Sequence, residues 1–389
     1  MAAPHVQTGE VDMDFALNEE QEMLRKSARD FLSMECPKSL VREIEASDLG
    51  YSPELWEKMA ALGWMGLALP EEYGGAGLSI LDLAVLFEEF GRAAVQGPMF
   101  STIALGALPV LEFGTDEQKK SLLPGVTSGE RILTAAIAEP EVNEDPRFVS
   151  TQANPQGEGL EITGIKLLVP YAHIADYMIV VTRTDGASGD EEGITLVIVD
   201  GKTPAVSISP LVTIARDKQF EVAFDKVPVS SGDILGALHR GLLLVTAIFR
   251  KAAGLQCAVM VGGAQMALEM TAQHTRTRIQ FERPLGAFQA VQHRLADMFI
   301  DVNGARWITY QALWRLSEGL PAEKEVAIAK AFTNMACQRI ALSAQQLHGG
   351  VGVDLDYDLH FYFRQAKAFE LSLGSTPFHL ETLEAGIGR

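Results

Sequence analysis

The C-terminal third of the chain contains long stretches in which apolar residues recur at helical spacing, with few turn-forming residues between them. Such patterns cover residues 242–278, 289–318, 323–347 and 362–373. Helices of this length must bury their apolar faces against one another, which favours a four-helix bundle. The apolar faces are broader than one bundle can cover, so the sequence also predicts oligomerisation.

A different pattern precedes the bundle, in which short β-type runs alternate with Gly, Pro, Asn and Asp. Residues 179–181, 194–199 and 220–224 are predicted strands. The segment before them is again helical. We therefore predict a mostly α protein with a central β domain, and three domains: a helical domain over residues 1–129, a β domain over 130–234 and a helical bundle over 235–389.

Composition excludes some functions. The net charge of −19 disfavours binding to nucleic acid. The three cysteines, Cys36, Cys257 and Cys337, fit no metal motif and suit a reducing compartment. Residues 1–14 lack the features of a signal peptide, and no apolar run approaches the ~20 residues of a membrane span. We expect a cytoplasmic protein with no metal site and no membrane contact.

The strongest motif runs from Arg278 to Asp297, where a long helix ends in several cations and a Pro-Gly turn begins the next helix. Arg278 can donate two hydrogen bonds to a phosphate. Phe281 and Phe288 offer flat apolar surfaces to a ring system, and Gln289 can both donate and accept. A helix–turn–helix corner with solvated arginines explains these residues equally well.

The second motif runs from Gln346 to Tyr357 and begins at the end of a predicted helix. The consecutive glycines Gly349 and Gly350 would let backbone amides approach a ligand closely. A helix C-cap and turn is the simpler alternative. The motif does not follow a strand, so it is not a dinucleotide-binding fingerprint of the Rossmann type.

With the three-domain pattern, these motifs resemble the acyl-CoA dehydrogenase family over about residues 13–386. Further matches are the loop 69–77, Glu139-Pro140 and the segment Gly164 to Lys166. The resemblance implies a helical domain, a β domain, a C-terminal four-helix bundle and a dimer-of-dimers assembly. It also implies bound FAD, acyl-CoA substrates and electron-transferring flavoprotein as the electron acceptor.

The resemblance also implies which residues contact FAD. Most correspond to positions that reach the adenosine and pyrophosphate of the FAD in a neighbouring subunit. A cofactor shared between subunits would make the enzyme an obligate oligomer. The cofactor-binding residues implied in this way are Arg278, Gln280, Phe281, Phe288, Gln289, Gln346, Gly349, Gly350 and Thr376.

The chain departs from the family at the catalytic base. In the family reaction, a carboxylate takes the α-proton of an acyl thioester while a hydride leaves the β-carbon for the flavin. Most members place this Glu before a Gly-Thr in a C-terminal loop, where this chain has Leu373. A minority place it on the long helix, where this chain has Ala252. Neither side chain accepts a proton, and the nearest carboxylate in the loop is Glu370.

The β domain departs as well. The family usually follows Glu-Pro with Gly-Ser-Asp, whereas residues 141–145 read Glu-Val-Asn-Glu-Asp. The family has a Trp that covers the flavin ring after the Lys, whereas Lys166 is followed by Leu167. The residues of the β domain that would hold this protomer's own flavin, which we call its flavin cradle, therefore depart from the family pattern. The residues that would reach a neighbour's flavin match the pattern.

This asymmetry resembles the Glu-lacking subunit of bacterial heterotetrameric acyl-CoA dehydrogenases that act on steroid and other bulky acyl-CoA thioesters. Residues 91–98, 349–360 and 370–374 look like that sub-group. The first hypothesis is therefore the base-lacking subunit of a heteromeric enzyme, paired with a homologous catalytic subunit.

Two alternatives stay open: a self-sufficient homo-oligomeric enzyme with a displaced base or altered chemistry, and a non-enzymatic scaffold on the same fold. Glu88, Glu89 or His348 would be the displaced base. A solvated or salt-bridged face for the two glutamates, and a structural role at a helix end for the histidine, are simpler readings. Four aromatic residues are expected to pack at a subunit interface rather than to contact FAD: Tyr357, Phe361, Tyr362 and Phe363.

Overall fold

The computed structural model describes residues 16–141 and 144–387. Residues 1–14, assessed above for a signal peptide, lie outside the described residues, as do residues 142 and 143 of the divergent turn in the β domain.

Six helices form the N-terminal part of the described chain. Asn18 caps the first helix through reciprocal hydrogen bonds with Gln21, as its position in the sequence predicts. Ser52 caps the third helix, which begins at Pro53. A π-helical segment, Ser101–Ala107, leads directly into the fifth. The helices are α1 (Glu19–Glu35), α2 (Lys38–Ala46), α3 (Pro53–Ala61), α4 (Ile80–Ala93), α5 (Leu108–Phe113) and α6 (Asp116–Thr127).

The middle of the chain forms one eight-stranded sheet with its own apolar core. Seven strands follow the order β6-β7-β3-β2-β4-β5-β8, and β1 pairs with β4 in parallel. The three strands predicted from sequence lie within β4, β5 and β7. The strands are β1 (Leu133–Ala136), β2 (Gln152–Gln156), β3 (Gly159–Pro170), β4 (Tyr177–Arg183), β5 (Ile194–Asp200), β6 (Val206–Leu211), β7 (Gln219–Val229) and β8 (Ile234–Leu235).

Five helices and a short hairpin follow. The predicted long helices are present, but the fourth begins at Leu359 and ends before Leu373, because the chain turns at residues 371–375. The hairpin strands β9 (Ile279–Gln280) and β10 (Arg283–Pro284) join the first two helices. The helices are α7 (Gly241–Thr277), α8 (Gln289–Ser317), α9 (Glu323–His348), α10 (Leu359–Glu370) and α11 (Thr376–Ile387).

Helix α7 is the central element. It packs against α4 from the N-terminal part and against α8, α9 and α10 in the bundle. By length and composition alone it could cross a membrane, but half of its most apolar window is buried inside the protein. A core helix of a bundle has this composition, so α7 is no sign of membrane insertion. Cys257 and Cys337 are fully or almost fully buried and pack as small core residues.

The crossing of α4 and α7 depends on two glycines that let the backbones touch. A Cβ on Gly262 of α7 would lie 1.8 Å from the carbonyl oxygen of Glu88 in α4. A Cβ on Gly91 of α4 would lie 1.8 Å from the carbonyl oxygen of Val259 in α7. Because both obstacles are backbone atoms, an added methyl group would force the helices apart.

Replacing Gly262 with Ala should therefore destabilise the protein by about 1–3 kcal/mol or more, the usual effect of overpacking a core. The adjacent Gly263 is a matched control, because its added Cβ would meet nothing closer than 3.5 Å. Gly263→Ala should be neutral or slightly stabilising, since Ala favours a helix over Gly by about 1 kcal/mol. Thermal unfolding of both variants tests this, and equal melting temperatures would contradict it.

Candidate flavin-binding and catalytic sites

The turn after α7 projects an aromatic side chain away from the protomer. Arg278 ends the helix, with its amide N–H bonded to the carbonyl oxygen of His274 at 2.8 Å. Phe281 and Glu282 occupy the tip of the hairpin at φ of 53° and 65°. A bulky residue is rarely held in this backbone region, and such strain often marks functional sites. The Phe281 side chain is 84% exposed and meets the Phe288 ring edge-on, with centroids 6.1 Å apart.

The end of α9 lies beside the end of α7. The His348 ring stacks on the His274 ring with centroids 4.3 Å apart, and its Nε2 lies 3.1 Å from the Tyr357 hydroxyl. Gly349 follows at φ 64°, and at both Gly349 and Gly350 no atom lies within 4 Å of where a Cβ would be. The stacked histidines therefore bring the two sequence motifs to the same end of the bundle.

Eight of the nine proposed cofactor residues lie on this surface, which we call the α7–α9 platform. All are exposed except Phe288, which is half-buried with the Arg283 guanidinium 4.0 Å from its ring centroid. Arg283 therefore contacts an aromatic ring at this turn. The platform consists of Arg278, Gln280, Phe281, Phe288, Gln289, Gln346, Gly349 and Gly350.

The ninth residue, Thr376, lies elsewhere. It begins α11 directly after the loop 371–375, and this loop is bonded to the middle of α7 through Gln256 Nε2 and Ser372 Oγ at 2.6 Å. Along a straight helix, Gln256 and Arg278 are about 33 Å apart. Thr376 and the platform therefore occupy different parts of one protomer.

The two positions that the resemblance assigns to the catalytic Glu have apolar surroundings. Ala252 is fully buried in α7. Leu373 packs against apolar side chains at φ 54°, and its carbonyl oxygen accepts a hydrogen bond from His379 Nε2 at 3.0 Å. Burial lowers the pKa of His379 to about 4, so the ring is neutral and serves as a structural donor.

The carboxylates nearest the loop have partners. Glu370 ends α10 and accepts from Lys367 Nζ at 2.8 Å. Glu144, from the divergent turn of the β domain, accepts from both the backbone N–H and the hydroxyl of Ser375, each at 2.6 Å. Sequence reasoning missed this contact, although the departure of residues 141–145 from Gly-Ser-Asp pointed to the segment.

Glu88 and Glu89, the candidates for a displaced base, lie within the protein at the junction of α1, α4 and α8. Both Glu89 oxygens accept from Arg29, at 2.6 and 2.9 Å. Glu88 accepts from Arg306 Nε at 3.1 Å and from the Tyr310 hydroxyl at 2.9 Å. The salt-bridge interpretation is confirmed, but a solvated face is wrong, because both side chains are buried.

Two of the four aromatic residues expected at a subunit interface are instead in the core of the protomer. Phe361 and Tyr362 are buried, and the Tyr362 hydroxyl donates to the carbonyl oxygen of Arg92 at 2.7 Å. The expectation failed because α10 turns Tyr362 toward α4 and α7 and Phe361 toward Arg42 of α2.

In the β domain, Lys166 and Glu139 form a buried ion pair at 2.7 Å. Alternate residues of β3 face the interior of the domain, and Lys166 lies on the same face as Ile162 and Gly164. Burial opposes ionisation of Glu139, but the Lys166 ammonium and the hydrogen bonds from Ser150 and Thr151 outweigh it and lower the pKa of Glu139 to about 2. This pair ties β3 to the start of the divergent turn.

Directly after Lys166, the pairing of β3 with β7 shifts in register. Leu168 stands in this bulge at φ 52° with its side chain 56% exposed. The segment where the family covers its flavin ring therefore carries an exposed aliphatic side chain. Among the described residues, no group of three His, Cys, Asp or Glu side chains is placed to hold a metal ion.

Models of three acyl-CoA dehydrogenase domains match this chain: the N-terminal domain over residues 18–130, the middle domain over 134–227 and the C-terminal domain over 239–388. The chain belongs to the acyl-CoA dehydrogenase family. The predicted fold class is thereby confirmed. The protein is an oxidoreductase of a flavoprotein family whose members act on CH–CH bonds.

Several relatives cover nearly the whole chain. The 3-(aryl)acrylate reductase of Clostridium sporogenes is 32% identical over 92% of this chain and 96% of its own. A variant of the Tcur3481-Tcur3483 steroid ACAD has a TM-score of 0.87 at 34% identity, covering 95% of this chain and 98% of that chain. The ChsE4-ChsE5 complex of Mycobacterium tuberculosis has a TM-score of 0.89 at 30% identity, covering 97% and 99%.

Replacing Glu139 with Gln should destabilise the protein by about 3–5 kcal/mol, because the buried Lys166 ammonium loses its carboxylate. Glu158→Gln, on the exposed turn between β2 and β3, makes the same change of charge and should have almost no effect. Melting temperatures at neutral pH measure the difference. Similar values for the two variants would show that the pair does not stabilise the fold.

The destabilisation by Glu139→Gln should also depend on pH. The pKa of Glu139 is about 2 in the folded protein and ordinarily 4.5, so ionisation stabilises the fold fully above pH ~4.5. This contribution is lost as the pH falls through about 2. The difference in stability between wild type and variant should therefore shrink on acidification, which denaturant titrations at several pH values would measure. A difference that grows would contradict the assignment.

Proposed function

We propose that this chain is the base-lacking subunit of a heteromeric acyl-CoA dehydrogenase and holds FAD jointly with a homologous catalytic subunit. The observation that carries the proposal is the apolar character of both base positions, Leu373 and Ala252. α,β-Desaturation of an acyl-CoA needs a group that takes the α-proton, and the FAD supplies the hydride acceptor. The partner would supply the carboxylate.

The platform suits one part of this cofactor. The exposed Arg278 guanidinium can donate two hydrogen bonds to a diphosphate oxygen pair. Phe281 can stack on the adenine ring, and Gln289 and Gln346 can bond the ribose or base edges. Gly349 has open space where a Cβ would lie, so its backbone can approach the diphosphate. These roles serve the FAD of the partner, since Thr376 lies on another part of the protomer.

The relatives support a heteromer. One similar structure is the ChsE4-ChsE5 complex, and another is described as the Tcur3481-Tcur3483 steroid ACAD. We therefore propose an acyl-CoA thioester, of a steroid or another bulky acid, as substrate and electron-transferring flavoprotein as the electron acceptor. We further propose a cytoplasmic location and domains over residues 1–129, 130–234 and 235–389.

One relative supports the alternative of a self-sufficient enzyme with altered chemistry. The similar chain from Clostridium sporogenes is named a reductase and not a dehydrogenase. The contacts of the candidate bases weigh against it. Glu88 and Glu89 are both buried and ion-paired with arginines, so their oxygens are already engaged in structural contacts. The exposed platform weighs against a scaffold without cofactor.

The purified chain alone should bind much less than one equivalent of FAD and should not desaturate acyl-CoA with an artificial electron acceptor. The reason is that each half of the proposed site belongs to a different kind of subunit. Co-expression with a homologous chain that carries the loop Glu should give a yellow complex with activity. Flavin absorbance per protein and acceptor reduction are the measurements. Full activity of the single chain would refute the proposal.

In that complex, Arg278→Ala should weaken FAD binding by roughly tenfold or more, the loss of one or two charge-assisted hydrogen bonds. Arg276→Ala removes the same charge two residues earlier in α7 and should leave the affinity nearly unchanged. Fluorescence titration of FAD into the apo-complex compares the two variants. Equal losses would indicate a general effect of charge and not a direct contact.

A further inference from the structure

One carboxylate of the β domain occupies the start of a helix in the bundle. Glu144 accepts from the Ser375 backbone N–H and from the Ser375 hydroxyl, both at 2.6 Å. Ser375 immediately precedes α11, a helix of 12 residues. The N–H groups at a helix start favour an anion, and phosphate groups are among the ligands that bind there. In this chain an internal carboxylate already fills the position.

The turn that carries Glu144 is anchored on both sides. Before it, Glu139 is fixed by Lys166 and by the backbone N–H groups of Ser150 and Thr151. After it, the Asp145 side chain accepts from the Arg147 backbone N–H at 2.9 Å. These contacts fix the residues on either side of Glu144 within the β domain, and the contact of Glu144 with Ser375 joins the β domain to the bundle.

The loop that receives Glu144 is also fixed. Gln256 holds the Ser372 hydroxyl, and His379 holds the Leu373 carbonyl oxygen. The donors of Ser375 are both used by Glu144, and they directly precede Thr376, the residue proposed for cofactor binding. A diphosphate at this place would meet a carboxylate of like charge and donors that are already engaged. This part of the protomer therefore does not fit FAD.

We propose that Glu144 excludes the diphosphate of FAD from this protomer's own cradle and so makes cofactor binding one-sided. The inference rests on the proposed function, in which the platform serves a partner's FAD. Glu144 is a specificity-determining residue in this view: it allows one cofactor for each pair of unlike subunits.

The test uses the full-length chain without partner and titrates FAD by fluorescence quenching. Glu144→Gln removes the charge with little change in size, and Glu144→Ser also removes the bulk. Both should raise the affinity for FAD about tenfold or more, a change of about one decade in the dissociation constant. Glu158→Gln changes the net charge equally at an exposed turn and should not alter FAD binding.

A second control distinguishes the effect of the Glu144 charge from an effect of loosening the loop 371–375. Ser375→Ala removes one of the two hydrogen bonds but keeps the carboxylate and the backbone donor, so it should leave FAD affinity low. Equal gains for Ser375→Ala and Glu144→Gln would overturn the inference, as would unchanged affinity in both Glu144 variants when circular dichroism shows them folded.

The same FAD titrations distinguish a failure of this inference from a failure of the proposed function. Weak FAD binding by wild type and by all variants would leave the heteromer intact and reject the role of Glu144. Tight stoichiometric binding by the wild-type chain alone would reject both. In the complex with a catalytic subunit, Glu144→Ser should raise the flavin content from about one toward about two per pair of subunits, one for each cradle. A content that stays at one would also count against the inference.

Discussion

The direct contact between the backbones of α4 and α7 is the constraint on which the other features depend. Gly91 and Gly262 let the two helices approach without side chains between them. The contact joins the N-terminal helices to the bundle and fixes α7 in place. Helix α7 carries Ala252 and Gln256 at the loop 371–375 and ends at the platform. Because one rigid helix separates these two regions by about 33 Å, a protomer cannot bring its own platform to its own loop.

Most of the buried carboxylates near these regions serve the fold. Glu88 and Glu89 join α4 to α8 and α1 through arginines, and Glu139 joins the segment after β1 to β3 through Lys166. A catalytic carboxylate must reach the substrate proton with a free oxygen. The oxygens of these three carboxylates are already engaged by cations within the fold. The two positions that the resemblance assigns to the base are apolar, and this supports the proposed division of labour.

The helical parts of the fold could be predicted because their signals are local. Each helix start is indicated by residues that are close together in the sequence, namely Asn18 with Gln21 and Ser52 before Pro53. The grouping of the two C-terminal motifs also followed from the family resemblance. The stacking of His274 on His348 and the contact of Glu144 with Ser375 could not be predicted, because they join distant segments of the chain. Phe361 and Tyr362 were misplaced since the direction of α10 decides whether they face the core.

An assembly of identical chains would place each platform against a protomer that has Leu373 at the base position and Glu144 at the start of α11. Every site in such an assembly would lack the carboxylate and would repel the diphosphate. In the proposed heteromer, a homologous chain with an open cradle and a loop Glu would complete one site of each pair, because the platform of this chain would face that cradle. Under the proposed role of Glu144, the second site, built from the partner's platform and this chain's cradle, would stay closed. The proposed heteromer, unlike an assembly of identical chains, would therefore give the exposed platform residues a ligand.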